Sequence, residues 1–165
     1  MDPQTEFTAV QIVAIVQAVI KERNKFSLST LNFYKKEEMV EPTGSHKNSY
    51  GNYYTLIDAT LMVLVIRLKQ KGVNIKAYQW AIPNIRLSIE KGLQYKKAFL
   101  TINDAGCELS TSKFGRNVTD AARAHELVMI YDIAPLCRFV VEAARSLLYG
   151  PRAKHNKLPS EQVAV

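Results

Sequence analysis

Apolar residues recur at helical spacing near the start of the chain, where Val10, Ile12, Val13, Ile15, Val16, Val19 and Ile20 fall within residues 8–23. The pattern predicts a first helix that is apolar around most of its girth and therefore buried. Lys21, Arg23 and Lys25 gather at its end, where cations suit the helix dipole, and Asn24 suits a tight turn. A second, shorter helix is predicted at 28–36 with Ser27 as its N-cap. Leu28, Leu31 and Phe33 are expected to face inward, and Ser29, Asn32, Lys35 and Lys36 outward. Pro42 and Gly44 then mark a turn, residues 45–49 form a polar tip, and Tyr50, Tyr53 and Tyr54 favour a strand on its return.

Thr55, with Asp58 three residues on, reads as a capping box in which Asp replaces the preferred Glu. The helix it opens carries Leu61, Leu64, Val65 and Leu68 on one stripe and stops at Gly72. Asn74 is placed to cap a short helix at 75–82. Pro83 can begin another that runs to about Lys91 and ends at Gly92. The period then changes, and 98–102 with 107–111 reads as a β-hairpin around a Gly-containing loop. From Asn117 or Thr119 to about Tyr149 the pattern is helical again, with a bend expected at Pro135. The fold class is mainly α with small β-hairpins. Residues 1–92 are expected to form one domain, 93–150 a hairpin-and-helix dimerisation or effector region, and 151–165 a polar, mobile tail.

Charge changes this picture more than composition does. The 165 residues carry a net charge of +7, and residues 21–100 hold 14 Lys/Arg against 6 Asp/Glu, while the remainder is almost balanced. The positive field thus belongs to the segment 21–100 as a whole, which contains the short helix and the turn after it, as binding a polyanion requires. A solvated basic face is the bland alternative. Hydrophobic content of 47% describes a folded chain rather than a disordered one. Its longest uncharged stretches fall short of the ~20 apolar residues that span a bilayer. The acidic, polar start is unlike a signal peptide. Cytoplasmic localisation, with nucleoid association, is the expectation, and no membrane partner is expected.

Catalytic and metal chemistry find little support. Cys107 and Cys137 lie on different predicted elements, and His46, His125 and His155 are scattered without ligand spacing. Buried free cysteines are common in cores. There is no nucleophile elbow and no Gly-rich phosphate loop. No enzyme, catalytic residue, metal or cofactor is expected.

One stretch carries a family likeness. Ser27, Thr30, Leu31, Phe33 and Tyr34, followed by Met39, Val40 and Pro42, resemble the recognition helix of MerR-type winged helix-turn-helix transcriptional regulators. Tyr54 with Asp58 resembles that family's entry into the helix after the wing, and Gly72-Val73-Asn74-Ile75 resembles its following turn. The likeness covers roughly residues 8–82. Ser29 and Asn32 stand where arginines are common, Asn52 where a wing arginine stands, and Glu38 where a glycine ends the helix.

The resemblance implies a sequence-specific duplex-DNA-binding regulator of transcription. Its expected contacts are Ser27, Ser29, Thr30, Asn32, Tyr34, Lys35 and Lys36 from the helix, and Lys47, Asn48, Tyr50 and Asn52 from the wing. Asn can bond an adenine edge in two places, and lysines anchor phosphates. Action at a promoter would add RNA polymerase to the partners. Helix-turn-helix proteins usually read paired half-sites. A homodimer is therefore expected through Leu127, Ile130, Tyr131, Phe139, Val140 and Leu147. Two rivals stand beside this reading. One is an excisionase-like architectural factor for recombination or segregation. The other, of a different class, is a protein-interaction module that does not bind DNA.

Overall fold

In a computed structural model, residues 1–21, 26–42, 52–94, 99–102, 107–110 and 129–150 are described. The chain opens with a two-residue strand β1 (Phe7–Thr8) and helix α1 (Ala9–Ile20), then helix α2 (Leu28–Lys36). Strand β2 (Tyr53–Tyr54) leads into α3 (Leu56–Gln70), a 3-10 segment (Ile75–Ala81) and α4 (Ile82–Gln94). Strands β3 (Phe99–Ile102), β4 (Cys107–Ser110) and β5 (Met129–Asp132) precede the last helix, α5 (Ile133–Tyr149). The protein is mainly α with small antiparallel sheets.

Helix α3 is the axis of the packing. Twelve of its fifteen residues are buried, and α1, α4 and α5 all pack against it. Burial of each large aliphatic side chain contributes about 1.5–3 kcal/mol, so this one helix supplies much of what opposes chain entropy. Its start is built as the sequence predicts. Thr55 Oγ1 accepts from the Asp58 amide at 3.4 Å, and the Asp58 carboxylate accepts from the Thr55 amide at 2.7 Å and its hydroxyl at 2.9 Å. Asp58 is fully buried, and its other oxygen accepts from Arg86 Nη1 on α4. A buried carboxylate is tolerable only when it is paired and hydrogen-bonded, and here the pairing also fixes α4 on α3. The far end of α3 closes through Gly72, whose φ of 84° is left-handed, while Val73 N–H reaches the Leu68 carbonyl at 3.0 Å.

The short sheets add to the sequence reading in two places. Tyr53–Tyr54 joins β1, with Phe7 opposite Tyr54 and Thr8 opposite Tyr53, and so ties the start of the chain to the entry of α3, while the turn expected just before it lies outside the described residues. The predicted hairpin of β3 and β4 is present, with Leu100 opposite Leu109. A third strand, β5, pairs along the other side of β3, with Leu100 opposite Tyr131.

That third strand overturns the long helix expected from 117 or 119 to 149. Met129-Ile130-Tyr131 extends the sheet, and the helix begins only at Ile133. Asp132 caps it by accepting from the Ala134 amide at 3.1 Å. Pro135 then falls in the first helical turn, where no intrahelical N–H is needed, so it starts the helix instead of bending it. Residues 117–128 lie outside the described part.

Three smaller expectations change as well. Helix α1 is buried on the side of Ile12, Ile15, Val16 and Val19, but Val10 is 67% exposed, so it is not enclosed all round. Asn74 makes no side-chain cap, and the segment it opens is 3-10. Gly92 does not end α4 but lies buried inside it. A Cβ there would stand 2.8 Å from Ile133 Cδ1, so the missing side chain lets α4 approach α5. The boundary expected after residue 92 therefore falls within a helix. Buried residues on both sides of it, from Phe7 to Ala144, belong to one core.

Candidate nucleic-acid interface

Helix α2 is held from below and open above. Its N-cap Ser27 is extended (φ −140°, ψ 174°), and Oγ accepts from the Thr30 amide at 3.3 Å. The same hydroxyl lies 2.7 Å from Ser29 Oγ and 3.1 Å from Thr30 Oγ1. Three of the expected contact residues thus share one capping network. Just before it, the Phe26 carbonyl accepts from Gln17 Nε2 at 2.7 Å, which ties the entry of α2 to α1.

Leu31 and Tyr34 are the buried residues of α2. The Tyr34 ring stacks on Phe26 with centroids 6.3 Å apart and meets Phe33 edge-on at 5.7 Å. Burial pushes its hydroxyl above the ordinary tyrosine range. Tyr34 therefore belongs to the support of the helix and not to its outward face, a correction to its expected place among the contacts.

The C-terminal end shows why Glu38 stands where a glycine was expected. Glu38 is left-handed (φ 55°), its amide reaches the Lys35 carbonyl at 3.1 Å, and the Met39 amide reaches Tyr34 at 3.0 Å. This is the bonding pattern of a glycine-type helix stop, kept with a side chain that disfavours the conformation by about 1–2 kcal/mol. Two contacts from the 3-10 segment brace it. Gln79 Nε2 donates to the Glu37 carbonyl at 2.7 Å, and Lys76 pairs with Glu37 at 3.0 Å. Sequence reading did not find this brace, since nothing local links positions 42 residues apart.

Outward, Leu28, Ser29, Asn32, Phe33, Lys35 and Lys36 are all exposed. Leu28 (46%) and Phe33 (47%) were expected to face inward. Residues 28, 32 and 36 recur every four positions, so they must share a face, and Leu28 goes where Asn32 and Lys36 go. The result is a surface with an amide, a hydroxyl, two cations and two apolar side chains, presented by a helix whose opposite side is fixed. Such a face can bond base edges, contact a thymine methyl and neutralise phosphates.

The remaining expected contacts are dispersed or undescribed. Asn52 is exposed beside β2, while Lys47, Asn48 and Tyr50 lie outside the described residues. Of the expected dimer residues, Leu127 lies outside them too. Ile130 and Tyr131 sit on a strand, and Val140 is fully buried in the chain's own core. Phe139 is half-buried, and Leu147 is 43% exposed beside Leu148 and Tyr149. Cys137 is buried, and burial pushes its thiol up to about 12, which disfavours the thiolate that metals bind. Among the described residues no helix is long and apolar enough to cross a membrane.

No protein-family model matches the chain, and no curated protein is similar to it.

Proposed function

We propose that the protein binds duplex DNA through the outward face of α2, in a MerR-like winged-helix arrangement, and controls transcription as a homodimer. One observation carries the reading. Ser29, Asn32, Lys35 and Lys36 stand together on a helix whose buried side is anchored by Leu31 and Tyr34. The +8 balance of residues 21–100 supports it, because phosphate contacts dominate affinity for duplex DNA. In this account Asn32 reads a base edge, Lys35 and Lys36 neutralise phosphates, and Asn52 marks where the wing approaches the backbone. The second subunit docks through the exposed end of α5, where Leu147, Leu148 and Tyr149 lie. Dimerisation supplies the symmetric half-site.

Fluorescence anisotropy on labelled duplexes, selected from a random pool, tests the reading. Saturable binding with preference for one selected site is expected, and sedimentation should give a dimer at micromolar concentration. Leu28 and Phe33, both exposed on the same face, favour one rival, a protein-interaction module. Absence of duplex binding at low salt would promote that rival.

A further inference from the structure

A second basic site lies where the ends of α1 and α3 meet β5, around a cleft of about 390 Å³. Lys21 closes α1, Arg67 and Gln70 belong to the last turn of α3, Lys71 follows it, and Tyr131 comes from β5. Arg67 Nη1 donates to the Tyr131 hydroxyl at 3.5 Å, and Lys71 Nζ lies 6.0 Å from the centre of the Tyr131 ring. No carboxylate among the described residues pairs with any of the three cations.

Helix ends account for part of this charge but not all of it. The C-termini of α1 and α3 each present roughly half a negative charge. The three full positive charges of Lys21, Arg67 and Lys71 outweigh the roughly one negative charge of the two helix ends. Lys21 holds the left-handed backbone (φ 57°) that ends α1, its amide donating to the Gln17 carbonyl, and this turn sets it at the edge of the cleft.

We infer that this cleft binds a small phosphorylated molecule, with Arg67, Lys71 and Lys21 on the phosphate oxygens. The Tyr131 hydroxyl accepts from Arg67 and so keeps its own proton to donate, and the Gln70 amide supplies a further donor. Guanidinium offers a two-pronged fit to phosphate, and the lysines act as point charges beside it. The volume lies within the range of small-molecule sites and exceeds what a bare phosphate fills. The site stands on its own geometry and does not rest on DNA binding by α2.

Calorimetric titration of the full chain with inorganic pyrophosphate in metal-free, low-salt buffer tests the site. One pyrophosphate per chain is expected, with Kd of about 1 mM or tighter. Arg67→Gln and Lys71→Gln should each weaken it about tenfold. Lys21→Gly should also weaken it while leaving the thermal midpoint unchanged or raised, because glycine relieves the left-handed backbone. Lys91→Gln, an exposed cation of α4 outside the cleft, should leave binding within about twofold. The inference is overturned by absence of saturable binding up to about 10 mM, by equal loss in Lys91→Gln, or by tighter binding of succinate than of pyrophosphate. It is overturned too if the cleft variants weaken duplex binding in phosphate-free buffer and flatten its salt dependence, since the cleft would then be a contact for DNA phosphates.

Discussion

Helices α2 and α3 are neighbours in sequence and opposites in use. Helix α3 is buried at twelve of fifteen positions, including Asp58 and Thr60, each of which has its hydrogen bonds satisfied within the chain. Helix α2 buries only Leu31 and Tyr34. Both end in the same left-handed stop, yet α3 uses Gly72 there and α2 uses Glu38. The difference teaches that α3 serves stability, whereas α2 is held just firmly enough to keep a fixed face toward solvent. Substitutions should divide accordingly, into those that unfold the chain and those that spare the fold and alter what α2 binds.

The largest effect is expected at the buried pair. Asp58→Ala removes the cap of α3 and strands Arg86, so urea unfolding should show a loss of about 3–5 kcal/mol. Leu64→Ala should cost about 2–5 kcal/mol by leaving a cavity in the same helix. Either variant losing less than about 1 kcal/mol would break the claim that α3 carries the core.

On α2 the contrast should reverse. Asn32→Ala should leave stability within about 0.5 kcal/mol, as for an ordinary surface position. It should cost about 1–3 kcal/mol in binding to the preferred DNA site, and much less on unrelated DNA. Equal losses on both would reduce Asn32 to a general contact. Ser27→Ala should lower stability by about 0.5–2 kcal/mol, because its hydroxyl organises the first turn.

The smallest effect sharpens the comparison of the two stops. Glu38→Gly should stabilise the fold by up to about 1.5 kcal/mol, since relief of a left-handed penalty of about 1–2 kcal/mol is partly offset by about 0.4–1 kcal/mol of added freedom in the unfolded chain. Destabilisation there would mean that the Glu38 side chain has a structural role.

Much of this organisation was legible locally. The caps at Ser27 and at Thr55 with Asp58, the stop at Gly72 and the pairing of β3 with β4 are set by residues within a few positions of one another. What was not legible depends on distant partners. Residues 129–132 become a strand because β3 offers them an edge, and Gly92 lies inside a helix because Ile133 packs where its side chain would be. Arg86 finds Asp58 across 28 positions, which no local pattern announces. Leu28 and Phe33 face outward for a simpler reason. Four-residue spacing puts Leu28 on the face of Asn32 and Lys36 whatever its hydrophobicity, and Phe33 stays half exposed beside it.

The proposed contact between the outward face of α2 and duplex DNA should show itself in the salt dependence of binding. Anisotropy titrations across salt concentrations should give a straight line of log K against log salt, falling by about 0.9 for each phosphate neutralised. Replacing Lys35 and Lys36 together with Ala should weaken binding to every duplex and flatten that line by about two phosphates' worth, with the unfolding midpoint unchanged. A double variant that binds duplex DNA as tightly as the parent, with the same slope, would contradict the account.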